Sequence, residues 1–217
     1  MREQYARRES LAVVATALVH LLSWSWPVVH AVLMSSATLG WAVWMTLKFR
    51  GDAEARRRMG LGRRGLKETW WLMLPLGSLA VLVIGLIAVL QGTLSLPWTL
   101  AIMVLTYPIW GLAQQLLVQG LLVGRLARWS RLERWPWVAA VIGGLLFGVV
   151  HWPYPELMVA TTVMGTVFGL IYLRFRNLWP LGLWHGVLGT VFFLWVMDKD
   201  PMAITLEEAT VQAGAER

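Results

Sequence analysis

The stretch GLAQQLLVQGLL, residues 111–122, sets Gln114, Gln115 and Gln119 inside a run whose other members belong in hydrocarbon. An amide in lipid finds no water to bond, and an unpaired one is costly there. Three of them on one segment therefore mark a helix buried against other helices, with a polar purpose of its own.

The rest of the chain fits that setting. Of 217 residues, 58% are hydrophobic, 15 are tryptophan and only 14% are charged, against roughly 25% charged in a soluble domain. The expected class is an all-α polytopic membrane protein. There is no cysteine, so neither a disulfide framework nor thiolate chemistry is available, and the redox compartment is left open.

A spanning helix needs about 20 mostly apolar residues. Runs of that kind occur at roughly 10–29, 31–49, 69–90, 98–123, 136–152, 156–173 and 178–197, which predicts about seven transmembrane helices. The first run is too long for a signal-peptide core, lacks an A-x-A site and is followed at once by a second span, so it reads as an anchor that is kept.

Charge sets the orientation. Three Lys and Arg precede span one, eight lie between spans two and three, four between spans four and five, and two between spans six and seven; the alternate loops hold none, and only Lys199 and Arg217 lie in the tail. The positive-inside rule then places the N-terminus in the cytoplasm and the C-terminus outside, in a bacterial inner membrane. The net charge of +7 reports topology and contact with anionic lipid. No nucleic-acid partner is expected, because the basic loops carry no reading motif.

Along the chain, residues 1–68 read as a two-span segment with a basic cytoplasmic loop (RGDAEARRRMGLGRRGLKE, 50–68), 69–97 as a third span and connection, 98–197 as the core, and 198–217 as an acidic, loosely ordered tail. Spans four to seven each hold a G-x-x-x-G: Gly120 and Gly124, Gly144 and Gly148, Gly165 and Gly169, Gly182 and Gly186. Such pairs let helix backbones approach closely where lipid supplies no hydrophobic drive. Spans one to three lack them and read as a lipid-facing wrapper around a four-helix core. Tryptophans near the predicted span ends, such as Trp70, Trp71, Trp98 and Trp135, read as an aromatic belt.

The polar residues inside this core are few. Besides the three glutamines, span five ends on His151 in LLFGVVHWPYPE and span seven carries His185 in LWPLGLWHGVLG. In an α-helix Gln115 and Gln119 share a face, and Phe147 lies one turn from His151. Ionisable residues in a membrane are functional candidates by default; the plainer reading is interhelical glue. For His20, within span one, and His30, at a break between spans, glue is the expected role. For His151 and His185 both roles stay open.

QQLLVQG, then FGVVH, then WHGVLG resemble in order and spacing the motifs E-E-x-x-x-R-G, F-x-x-x-H and H-x-x-x-N of the CAAX-protease and bacteriocin-processing (CPBP, or Abi) intramembrane endopeptidases, over residues 98–196. That resemblance implies a helical membrane fold whose cavity holds a glutamate and two histidines and which cleaves peptide bonds near the membrane. Carried across, the glutamates fall on Gln114 and Gln115, the arginine on Gln119 and the asparagine on Gly189, while Phe147, His151 and His185 are retained.

Those departures change the expected chemistry. An amide has nearly the shape of a carboxylate but takes no proton near neutral pH, so it is no general base and a poor metal ligand. Losing the acids alone would strand the motif's cation in low dielectric; here the cation is absent too, and three neutral amides can satisfy one another or the backbone. One acid, Glu156, follows His151 across Trp152–Pro153–Tyr154–Pro155. It either stands over the cavity as a replacement base or opens span six, where the helix dipole favours an acid anyway.

Three readings follow: an intramembrane endopeptidase-like protein that is altered or inactive in hydrolysis and acts on a membrane-anchored or hydrophobic peptide; a pseudoprotease or scaffold that binds and regulates a membrane partner; and an active protease using Glu156. No cofactor is expected, and two imidazoles without a carboxylate would hold a metal only loosely. The sequence does not fix the oligomeric state.

Overall fold

The computed structural model describes residues 2–129 and 132–204, with side chains from Arg8 onward. Arg131 and most of the acidic tail, from residue 205, lie outside the described residues. Within them the chain is all-helical. In order come α1 (Arg2–Ser23), α2 (Pro27–Phe49), the short α3 (Ala53–Arg58), α4 (Leu66–Gln91), α5 (Thr99–Gln115) running through a π-helical stretch π1 (Leu116–Val123) into α6 (Gly124–Leu126), α7 (Pro136–Val149), α8 (Pro155–Phe175), and α9 (Trp179–Val191) continuing as π2 (Phe192–Val196).

Five of these helices are long and apolar enough to cross a membrane: α2, α4, the continuous Thr99–Leu126, α8, and Trp179–Val196; α7 is a shorter apolar helix. The sequence predicts about seven spans; α1, whose first turns carry Arg7, Arg8 and Glu9, is not among these five. The protein is an all-α integral membrane protein.

Proline sets several of the boundaries. Pro27, Pro136 and Pro155 each occupy the first helical position of α2, α7 and α8, where the missing N–H is no loss and φ is already helical. The first break therefore falls at Trp24–Trp26 rather than at His30, which sits inside α2 and donates its N–H to the Trp26 carbonyl at 2.8 Å.

The chain divides into two compact units: Met1–Leu66 with Gln115–Leu178, and Lys67–Gln114 with Trp179–Arg217. In the first unit the closest packing is between α7 and α8. A Cβ on Gly144 would lie 2.7 Å from the Thr162 carbonyl oxygen, one on Gly148 2.7 Å from that of Met158, and one on Gly165 3.0 Å from the Gly144 Cα. Only glycine permits backbones this near, which is how two of the G-x-x-x-G pairs work. Ser10 of α1 donates its hydroxyl to the Leu121 carbonyl at 2.7 Å, and Glu9 pairs with both Lys48 and Arg125.

The basic loop is fastened in the same unit. Buried Asn177 donates to the carbonyls of Gly62 (2.8 Å) and Arg64 (3.0 Å), and the Leu178 N–H donates to Gly60 at 2.8 Å. Gly65 carries a φ of +67° against the end of α8, a conformation that costs glycine little.

In the second unit, a Cβ on Gly182 would lie 2.7 Å from the Leu112 Cα, and one on Gly186 2.5 Å from that of Pro108, so the α9 pair also permits close approach. Span three is more than a wrapper. α4 buries Thr69, Met73, Gly77 and Ala88, and Gly77 makes room for the Trp184 indole, which a Cβ there would overlap. A single glycine against a large ring does what a pair does elsewhere, so the pair pattern missed it. α2, by contrast, buries no residue.

Candidate functional site

π1 begins immediately after Gln115 and contains Gln119. Its hydrogen bonds skip five residues, a rare winding found often at functional sites, so the expected α-helical register does not apply across it. Both side chains are nonetheless wholly buried, at 0% exposure.

Gln119 is tied to α8: its Nε2 donates to the Gly165 carbonyl at 3.0 Å. Its Oε1 lies 3.2 Å from where a Cβ of Gly169 would be and accepts no hydrogen bond among the described residues. Gly165 in turn faces Phe147, whose ring is 3.2 Å from its Cβ position. The Phe147 carbonyl takes a 2.7 Å hydrogen bond from Nδ1 of His151, and the two rings meet edge-on at 5.0 Å. A carbonyl only accepts, so Nδ1 carries the proton and Nε2 is the basic nitrogen of the neutral ring. The first two motif segments are thus joined through one glycine of α8.

Gln115, Gln119, Phe147, His151 and Glu156 all belong to the first unit; Gln114, His185 and Gly189 belong to the second. Glu156 occupies the first turn of α8 and is exposed. In the second unit Gln114 is half-buried and His185 is buried. Gly111 stands 3.2 Å, at its Cβ position, from the Cβ of His185. Gly189 lies one turn beyond, with its Cβ position 3.7 Å from Tyr107 and 4.0 Å from His185 Cδ2. These are ordinary contacts, so a larger residue starts there without a clash.

Sequence reading gave His20 and His30 separate packing roles, yet they lie together. Their rings are 4.9 Å apart, Trp24 stands edge-on to both, and Ser23 Oγ lies 2.9 Å from His30 Nδ1. The Ser23 hydroxyl donates to the Val19 carbonyl at 2.7 Å, so its oxygen accepts from His30. The usable signal was the tight turn at Trp24–Trp26, which sets residues a few positions either side of it at one level. Among the described residues, no three of His, Asp and Glu group so as to hold a metal ion.

Residues 96–191 match the family described as Rce1-like, type II CAAX prenyl endopeptidase Rce1-like. This segment belongs to the CPBP family. The CPBP segment runs from just before α5 to the end of α9 and contains the three glutamines, Phe147, His151, His185 and Gly189. No curated protein and no solved structure matches the chain.

Proposed function

We propose that this CPBP-type protein binds a membrane-anchored or hydrophobic peptide segment and does not hydrolyse it by its family's route. The observation that carries the reading is the state of the first motif. Gln115 and Gln119 are fully buried, and Gln119 is bonded to the α8 backbone as a neutral amide. A general base is worth about 10²–10⁴-fold in rate, and neither amide supplies one. His151 keeps its ring orientation through Phe147, so the imidazole is held while the group that would activate water is missing. Prenylated C-terminal peptides, the substrates named by the family's description, are the first class to try.

On this reading Gln115 and His151, both in the first unit, face one cavity. The natural chain has no cysteine, so paired cysteines introduced at 115 and 151 report that arrangement cleanly by short-reagent crosslinking. The function itself is tested by photocrosslinking a hydrophobic, membrane-anchored peptide to the protein in liposomes. Saturable labelling of the CPBP segment, reduced by His185→Phe, is expected; labelling that does not saturate would leave the scaffold reading in its place.

A further inference from the structure

Between α1 and α2 lies an open groove of about 440 Å³ whose lining includes no motif position, formed among others by Arg8, Ala12, Thr16, Gly40, Trp41 and Trp44. Ala12, Ala37 and Gly40 leave room between the larger side chains. A Cβ placed on Gly40 would meet nothing within 4 Å. The volume falls in the range of small-ligand sites, about 300–1,000 Å³.

The two ends differ in character. At one, Trp41 donates its indole N–H to the Thr16 hydroxyl at 3.2 Å, and that hydroxyl donates to the Ala12 carbonyl at 2.8 Å, so the polar groups there are occupied with each other and what remains is apolar. At the other, Arg8 and Glu9 form the rim. Glu9 already pairs with Lys48 and Arg125, and Lys48 lies over the Trp44 ring at 5.0 Å. Two cations share that one acid, and Arg8 lines the same end, which leaves it positive.

We propose that this groove binds one anionic glycerophospholipid, with an acyl chain along Ala12, Thr16 and Gly40 and the phosphate at Arg8. An apolar slot with one cationic end has the polarity of an amphiphile. From Arg8 to Thr16 the slot rises about 12 Å along α1, most of the ~15 Å depth of one leaflet's hydrocarbon. The basic end is the one the positive-inside rule assigns to the cytoplasmic leaflet, where anionic lipids concentrate. α2 buries no residue of its own, so this face is open to lipid. Trp44, which Lys48 covers at the basic end, is suited to such a rim near the headgroup level.

The test is native mass spectrometry of the full chain from mild detergent, with phosphatidylglycerol, phosphatidylcholine or inorganic phosphate added, on wild type, Gly40→Leu and Arg8→Gln. Wild type should retain phosphatidylglycerol over phosphatidylcholine. Gly40→Leu, which fills open space, should unfold at the wild-type temperature without lipid and lose the retained lipid. Arg8→Gln should keep the fold and lose about fivefold of the preference for the anionic lipid, the loss of one basic contact worth about 1 kcal/mol. Equal retention by wild type and both variants, no preference for the anionic lipid, or equal occupancy by inorganic phosphate would overturn the proposal. So would a dimer that Gly40→Leu dissociates regardless of lipid, which would make the groove a contact between copies.

Discussion

Gln119 reaches across from π1 and donates its side-chain amide to the backbone carbonyl of Gly165 on α8, at 3.0 Å. The family's pattern has an arginine at this place, and the amide holds the position without charge. Gln119→Leu should lower stability by about 0.6–2 kcal/mol, the range of one interhelical hydrogen bond in a membrane bundle. Gln119→Arg alone should cost more, because it buries a cation with no acid supplied. Denaturant unfolding in detergent micelles measures both; a neutral Gln119→Arg would mean that water or another group reaches the site.

The α7–α8 contact predicts a sharper penalty. Gly144→Val and Gly148→Val would each force side-chain carbon into the backbone of α8, at a cost of about 1–3 kcal/mol. Gly40→Ala serves as the control, since nothing lies within 4 Å of the added carbon. Thermal unfolding in micelles should rank the two groups clearly apart.

Asn177 fastens the basic loop through two carbonyls. Asn177→Ala should leave both without that donor and destabilise the segment by about 1–3 kcal/mol. The local readout is trypsin cleavage after Arg63 and Arg64, faster in the variant than in wild type. Unchanged cleavage would place the loop's stability elsewhere.

Metal binding follows from ligand chemistry. His151 and His185 are the motif's retained imidazoles, and the amides at the motif's other positions are poor ligands. Elemental analysis after purification in mild detergent should find well under one zinc per chain. Stoichiometric zinc that is lost in His151→Ala would contradict this and would direct attention to Glu156.

Much of the architecture was legible because it depends on local rules. Apolar run length gave the spans, with starts at 136 and 156 that fall at or beside the first residues of α7 and α8, and glycine spacing marked the helices that pack closely. Longer-range matters were not. Nothing local told that Gly77 receives Trp184, since a ring filling one glycine's gap leaves no periodic trace. The motif residues were found through their order and spacing, and π1 was not foreseen because its sequence reads as an ordinary apolar helix. His20 and His30 were taken apart because the break was placed at His30, when Pro27 moves it to Trp24–Trp26 and so brings the rings together.

The central claim is that the CPBP segment keeps a binding site and lacks the base. The most direct test is cleavage of membrane-anchored peptides, prenylated ones included, by wild type, Glu156→Ala, His151→Ala and the combined Gln114→Glu, Gln115→Glu, Gln119→Arg variant in lipid. Asn is added at 189 in a parallel sample, where the space beside Tyr107 and His185 admits it and an oxyanion donor is worth about 3–4 kcal/mol. The account predicts no turnover by wild type above the His151→Ala background, and turnover in the combined variant with Gly189→Asn. Cleavage by wild type that disappears in His151→Ala would contradict it, and loss in Glu156→Ala as well would identify that carboxylate as the base.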